Sequence, residues 1–167
     1  MNKKLLMQWD LRRLPSAVLA SFFLLTIFLS ADLRAQGAIS VRGGNQTLSI
    51  TTAMPGSEPL PVVNTNGSLR YRRQAAIAKI TVRTICFPQH YALKVVAAGV
   101  SRGVAAPEVT LTNGMLDTDF ITNIPAFGFN FANATLQYTA SATFAQGNSL
   151  DNGGDDVHTV TYTILAQ

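Results

Sequence analysis

Side chains that could act as a nucleophile or a base are scarce in this 167-residue chain. It has one cysteine, Cys86, and two histidines, His90 and His158. Cys86 and His90 could pair as nucleophile and base if the chain turned back between them, but Pro88 intervenes and the neighbours of Cys86 are apolar. The chain also lacks Gly-x-Ser-x-Gly, His-x-x-His and Cys-x-x-Cys motifs. We therefore expect Cys86 to be a buried, inert thiol and the protein to have no catalytic activity.

An acidic segment near the C-terminus concentrates three carboxylates, those of Asp151, Asp155 and Asp156. Flexible loops that are rich in oxygen ligands suit Ca²⁺. The spacing differs from that of a twelve-residue helix–loop–helix site, and Asp, Asn and Gly also build ordinary solvated turns. The sequence thus names these three residues as candidate calcium ligands, with a plain surface loop as the alternative, and indicates no other cofactor.

A basic cluster lies in the first half of the chain. Arg70 and Arg72 would share one face of a strand, and Lys79 and Arg83 are candidates for a neighbouring face. Such a patch could contact an acidic polysaccharide or a lipid headgroup, although a solvated sheet face explains it equally well. Three phenylalanines at a spacing of two form a candidate aromatic patch, which could hold a sugar or fill the core: Phe127, Phe129 and Phe131.

Period-two alternation of apolar and polar residues is widespread after residue 35, whereas sustained helical periodicity is absent there. Turn signals separate the alternating runs, and Asn64–Gly67 and Asn113–Gly114 are typical of tight hairpins. This pattern predicts an all-β fold, a single antiparallel β-sandwich of the immunoglobulin-like or pilin-like kind, with a small β-barrel as the alternative. The predicted strands are Ala38–Arg42, Gln46–Thr52, Ser68–Arg73, Ala76–Phe87, His90–Ala98, Glu108–Leu111, Asp119–Ile124, Ala134–Ala145 and Val157–Leu165.

Two of these strands should organise the core. Ala76–Phe87 is the predicted central strand, and one of its faces would turn inward with Cys86 at its end. Val157–Leu165 is predicted to lie inside a sheet, because so regular an apolar strand would invite aggregation at an edge. Its inward face would carry Val160, Tyr162 and Ile164, and His158 would lie at the rim as a poor ligand candidate.

The N-terminal residues 1–35 have the layout of a secretory signal peptide. Four basic residues precede an uncharged run from Ala17 to Leu29, and the small residue Ala35 offers a cleavage site. The run is shorter than the ~20 apolar residues that a membrane-spanning helix needs. We therefore expect export to the periplasm, cell surface or medium without a stable membrane anchor, and one β domain over residues 36–167.

Removal of the signal changes the charge of the chain. The precursor has 13 basic and 9 acidic residues, a net charge of +4 and a pI near 9.6. Five of the basic residues and two of the acidic ones lie within residues 1–35, so the mature chain keeps eight and seven, a net charge of about +1. A nucleic-acid partner is not indicated, because the mature chain is not strongly basic.

Both ends of the mature chain resemble secreted bacterial pilin-like β-sandwich proteins, including spore-coat-U type subunits of chaperone–usher systems. The acidic-then-alternating ending from Asp155 to Ile164 is similar to theirs, and Ala38–Thr52 follows the signal where such subunits carry a donated strand. The resemblance implies a structural or adhesive surface subunit that assembles with itself or with other surface subunits by strand donation. Those subunits usually have a cysteine pair, whereas this chain has Cys86 alone.

Two alternatives stay open at this point. Ala38–Thr52 could be the first strand of its own domain instead of a donated segment. The whole protein could also be a secreted carbohydrate- or ligand-binding module, which would use the aromatic patch or the acidic loop.

The export prediction can be checked by N-terminal sequencing of secreted material, which should begin at Gln36 or within a few residues of it. The expectation rests on the basic start, the short uncharged run and the small residue at Ala35. Recovery of an intact Met1 in the envelope fraction would contradict it.

Overall fold

Nine β-strands and one short 3-10 turn, Phe144–Gln146, make up the regular structure of the described residues, 37–147 and 154–167, in this computed structural model. All described residues belong to the unit that starts at Ala35. The predicted signal, residues 1–35, lies outside them. The strands are β1 (Ala38–Arg42), β2 (Val62–Arg72), β3 (Ala78–Ile85), β4 (Ala92–Ala98), β5 (Val104–Ala105), β6 (Val109–Leu111), β7 (Thr118–Ile124), β8 (Ala132–Ser141) and β9 (Thr159–Ala166).

The strands form two antiparallel sheets. One has the order β1-β2-β8-β4-β6 and the other the order β5-β7-β3-β9. The all-β prediction is therefore confirmed. The described strands do not close into a small barrel, because no ladder joins the two sheets. No helix in the described part of the chain is long and apolar enough to cross a bilayer.

Alternation along the strands produces the core, because every second side chain of a strand points to the same face. The buried hydrophobic residues of both sheets belong to one cluster, which includes Leu69 of β2, Phe120 of β7 and Leu136 of β8. The inward face predicted for the central strand is confirmed, since the side chains of Ile80, Val82, Thr84 and Cys86 are all buried.

A pair of buried tyrosines links the two sheets. The hydroxyl oxygens of Tyr138 on β8 and Tyr162 on β9 lie 2.9 Å apart, within hydrogen-bonding distance. Burial raises the pKa of both phenols. The ring of Phe120 packs 5.2 Å, centroid to centroid, from that of Tyr162. The two hydroxyl groups thereby provide each other with a hydrogen-bond partner inside an apolar cluster.

The hairpin predicted at Asn64–Gly67 is wrong, because β2 continues through these residues. The register of β2 against β8 shifts between Asn64 and Gly67, which is the signature of a bulge. The side-chain oxygen of Asn64 accepts a hydrogen bond of 2.8 Å from the backbone N–H of Asn66. Neither Asn66 nor Gly67 adopts the positive φ of a tight hairpin turn. The hydrogen bond from the Asn64 side chain therefore supports a bulge within β2, and the chain does not reverse its direction here.

Two further segments differ from the sequence prediction. Gly114 has a positive φ of 70° at a turn, but the turn carries the chain from β6 in one sheet to β7 in the other, so it forms no hairpin. Residues 46–52 belong to no strand, although Leu48 and Ile50 are half-buried and alternate with exposed residues. The period-two pattern of these residues therefore reflects contact of alternate side chains with an apolar surface, and it does not reflect hydrogen bonding in a sheet.

Among the described strands the C-terminal strand β9 is an edge strand, so the prediction that it lies inside a sheet is wrong. It pairs along its whole length with β3, from Ala78 opposite Ala166 to Ile85 opposite Thr159. Its predicted inward face is confirmed, because Tyr162 is buried and Val160 and Ile164 pack against the core. Packing of this one face stabilises the strand even though only one neighbour pairs with it.

The tyrosine pair yields a stability prediction. Tyr138→Phe and Tyr162→Phe should each lower the free energy of unfolding by about 1–3 kcal/mol, because each leaves the other hydroxyl buried without its partner. Denaturant unfolding measures both. The loss in free energy of unfolding in the double variant should be clearly smaller than the sum of the losses in the two single variants. Strictly additive losses would show that the hydroxyls do not interact.

Candidate functional site

The register of β3 against β9 brings three chemically distinct side chains together. Ile85 pairs with Thr159 at the end of this ladder, so the next residues outward, Cys86 and His158, come to lie opposite each other. Asp156 precedes His158 by two residues and turns to the same side. The ligating atoms of Cys86, Asp156 and His158 all lie within 4.8 Å of one another. We call this set the Cys86–Asp156–His158 cluster.

Asp156 is held by three N–H donors at the start of β4. Its Oδ2 accepts hydrogen bonds of 2.8 Å from the backbone N–H groups of both His90 and Tyr91. Its Oδ1 lies 2.9 Å from Nδ1 of His90. Burial by itself would raise the pKa of Asp156, but these hydrogen bonds and the charge of His90 hold the pKa below its usual value. The carboxylate therefore stays ionised in a setting where its side chain is only 7% exposed.

Cys86 is a free, buried thiol, as the sequence predicted. Its backbone N–H donates to the side chain of Asn113 at 3.0 Å, and its Sγ donates to the carbonyl oxygen of Pro88 at 3.4 Å. Burial raises the thiol pKa, and the negative charge of Asp156 raises it further against the opposing effect of the Val157 N–H. The sulfur is therefore protonated at neutral pH.

His158 contacts the buried hydroxyl of Thr84. Its Nδ1 lies 3.2 Å from Thr84 Oγ1, which in turn lies 3.4 Å from the carbonyl oxygen of Thr159. A carbonyl can only accept, so both contacts are satisfied when Thr84 donates to Thr159 and accepts from Nδ1–H of His158. Burial lowers the imidazole pKa, opposed by the charge of Asp156. The ring is then neutral, and its second nitrogen, Nε2, is an acceptor.

The two histidines have different surroundings. His158, which the sequence placed near the rim, is half-buried just beyond the last pair of the β3–β9 ladder and is grouped with Cys86 and Asp156. His90 is hydrogen-bonded to Asp156, so His158 is the histidine grouped with Cys86, and not the His90 that lies close to Cys86 in sequence. A neutral thiol beside a neutral imidazole is the opposite of the activated pair that a nucleophilic cysteine requires.

The candidate calcium ligands are only partly described. Asp151 lies outside the described residues. Asp155 is exposed, whereas Asp156 turns inward onto the N–H groups of His90 and Tyr91. Calcium binding by these residues stays a prediction.

The predicted basic patch has an aromatic centre. The guanidinium carbon of Arg70 lies 3.7 Å from the centroid of the Phe131 ring and that of Arg72 lies 5.0 Å from it. Within the described part of the chain, neither arginine has a carboxylate within ion-pair distance. Lys79 and Arg83 belong to the other sheet and pair with acids there, Lys79 with Asp119 at 2.7 Å.

The three phenylalanines do not form one patch. Phe127 packs against the core, Phe129 is 78% exposed, and Phe131 stacks with the arginines. Residues 125–131 form a loop, so a spacing of two does not place their side chains on one face. Sequence reasoning missed the stacking of Phe131 on Arg70 because the two residues are 61 positions apart.

A cleft of about 1160 Å³ lies beside β9. Residues 44–53 line it, together with side chains of β4, β8 and β9 and with Asp156 and His158. Among the described residues, 45–51 form no backbone–backbone hydrogen bond, and β9 has no strand partner other than β3. The edge of β9 and the backbone of residues 45–51, neither of which has a ladder partner among the described residues, therefore lie at the same cleft.

Comparisons with protein-family models, with curated proteins and with solved structures found no match to this chain. Its function is therefore inferred from the geometry of its own residues.

The hydrogen bonds of Asp156 generate a pH prediction. Because folding lowers its pKa, Asp156 contributes stability above the unfolded value of about 3.9 and loses it as the pH falls towards the folded value. Asp156→Asn should lower the free energy of unfolding by about 1–3 kcal/mol at neutral pH, because an amide cannot accept from all three donors. In this variant the free energy of unfolding, measured by denaturant unfolding, should also fall less steeply as the pH is lowered into the acid range, which we call the acid limb.

Asp155→Asn is the matched control, since it removes an exposed carboxylate next in sequence and should leave the acid limb unchanged. Identical acid limbs in the wild type and in Asp156→Asn would show that the three hydrogen bonds do not stabilise the ionised form.

Proposed function

We propose that this protein is a non-catalytic, exported structural or adhesive subunit of the cell surface, and that it assembles by strand pairing along β9. The observation that carries the proposal is the edge of β9, which extends over eight residues beside the cleft and has no strand partner on its other side within residues 37–147 and 154–167. A donated strand would complete both the hydrogen bonding of the edge and the packing of the cleft.

The two sheets are taken to pack face to face as a β-sandwich. Support comes from the single hydrophobic cluster to which both sheets contribute and from the hydrogen bond between Tyr138 and Tyr162. Alternation of buried and exposed residues along β3 and β8 fits two inner faces that pack against each other.

The edge of β9 lacks the features by which edge strands usually avoid pairing. Its sequence, Thr159–Ala166, contains no charge and no proline, and its register on β3 has no bulge. The other edge strands are shorter, with five residues in β1, three in β6 and two in β5. β9 is therefore the edge best suited to receive a strand.

The donor that we propose is residues 45–52 of a neighbouring copy. The wider segment Ala38–Thr52 does not qualify as a whole, because β1 pairs with β2 within its own sheet. In residues 45–52 the half-buried Leu48 and Ile50 alternate with exposed polar residues, a pattern that fits a cleft with one apolar wall. Such a contact is heterologous, so its repetition produces an open filament.

A ligand-binding module is the second candidate. The cleft beside β9 is slightly larger than the ~300–1,000 Å³ typical of small-molecule sites. The arginine pair on Phe131 offers a separate cationic surface for an acidic polysaccharide. A soluble monomer would favour this function over assembly.

The assembly proposal can be tested with charges on β9. The double variant Thr161→Lys/Thr163→Lys places two charges on the outward face of the edge strand, where they oppose pairing with a further strand. The wild type should form a concentration-dependent ladder on gel filtration and filaments in negative-stain micrographs, and this variant should stay monomeric. The matched control is Thr135→Lys/Gln137→Lys on β8, which lies between β2 and β4 and should assemble like the wild type.

A mixing experiment identifies the donor. Leu48→Asn/Ile50→Asn should also prevent assembly, by weakening the donated segment. Mixing this variant with the β9 lysine variant should restore a single contact and give heterodimers that do not grow. A folded, monomeric wild type at all concentrations would overturn the proposal.

A further inference from the structure

We propose that Cys86, Asp156 and His158 bind one thiophilic divalent metal ion of the zinc class, with a fourth coordination position open to the cleft. The site uses residues from the ends of two paired strands. It is independent of the assembly proposal, and it differs from the calcium prediction because it requires Cys86 and His158.

The geometry is close to that of a bound ion. Zinc ligands at bond lengths of about 2.0–2.3 Å in a tetrahedron stand about 3.3–3.5 Å from one another. The ligating atoms of the cluster lie within 4.8 Å of one another before any ion is bound. A closure of about 1 Å is within reach of side-chain rotation, while the β3–β9 ladder fixes the backbone positions.

The chemistry of the three side chains selects the class of metal. Sulfur, imidazole nitrogen and carboxylate oxygen are the three ligand types that zinc sites combine. A thiolate disfavours Ca²⁺ and Mg²⁺, which prefer oxygen ligands throughout. Binding would release the proton of Cys86 to solvent, and the resulting thiolate together with the Asp156 carboxylate would balance the two positive charges of the ion.

The residues around the cluster are arranged as supports for metal ligands. The contact of Nδ1 with Thr84 leaves Nε2 of the neutral His158 ring as an acceptor, and the contact of Asp156 Oδ1 with His90 leaves that oxygen a second lone pair. Outer hydrogen bonds of this kind orient metal ligands and fix the imidazole tautomer. The cluster therefore has its ligands already held in place.

Access is from the cleft. Asp156 and His158 line the cleft, whereas Cys86 is only 1% exposed. An ion that enters would reach the carboxylate and imidazole first and the sulfur last. Three protein ligands leave one position, on the cleft side, for water or a small ligand.

The test uses protein purified after expression of the full-length chain, with Co²⁺ as the spectroscopic probe. One equivalent of Co²⁺ should give a thiolate-to-cobalt charge-transfer band and the intense visible bands of a tetrahedral complex, and Zn²⁺ should remove both. Cys86→Ser and His158→Gln should each weaken binding by more than about a hundredfold. Asp155→Asn, the matched control, should bind within about twofold of the wild type.

A second measurement uses the wild type alone, so it tests the site even if the variants fail to fold. In the wild type, Zn²⁺ should slow the reaction of Cys86 with a thiol reagent by more than about tenfold, and Ca²⁺ should have no effect, because only a thiophilic ion occupies the sulfur. Absence of the charge-transfer band, or a thiol rate that Zn²⁺ does not change, would overturn the site. Equal loss of binding in Asp155→Asn would assign the ion to the acidic loop and overturn it as well.

Discussion

The antiparallel pairing of β3 with β9 is the constraint on which most of the remaining structure depends. Its eight residue pairs hold Tyr162 opposite Val82 inside the core and bring Cys86 and His158 together just beyond the last pair. No other strand in the described part of the chain pairs with the opposite side of β9. A shift of one residue would turn every inward side chain of β9 to solvent, so burial of Tyr162 fixes the register and thereby the cluster.

Asp156 connects this ladder to the opposite sheet. Its carboxylate accepts two backbone N–H groups and faces one imidazole nitrogen at the start of β4, so the segment that leads into β9 is fixed before the strand begins. The same negative charge raises the thiol pKa of Cys86 and opposes the lowering of the imidazole pKa of His158. One buried anion thus serves both as a structural anchor and as the main electrostatic influence on its two neighbours.

Sequence reasoning reached the all-β class and the parity of the strands but not their register. Alternation placed Cys86 on the inward face of one strand and His158 on the inward side of another, yet only the pairing of Ile85 with Thr159 shows that they meet. Asn64–Gly67 suggested a hairpin because Asn-Gly favours positive φ, but the Asn64 side chain supports a bulge instead. Whether a strand lies at the edge of a sheet depends on which strands pair with it, and the alternation of residues within that strand does not indicate its neighbours.

The tyrosine pair has a spectroscopic consequence. The only tryptophan of the chain, Trp9, lies within the predicted signal, so the processed protein would emit ultraviolet fluorescence from its four tyrosines alone. Two of these, Tyr138 and Tyr162, share a hydrogen bond and both line the cleft beside β9. Tyrosine emission is therefore an intrinsic, label-free reporter for binding or packing changes at the cleft. In the same spectrum, loss of tryptophan emission from the purified product reports removal of the predicted signal.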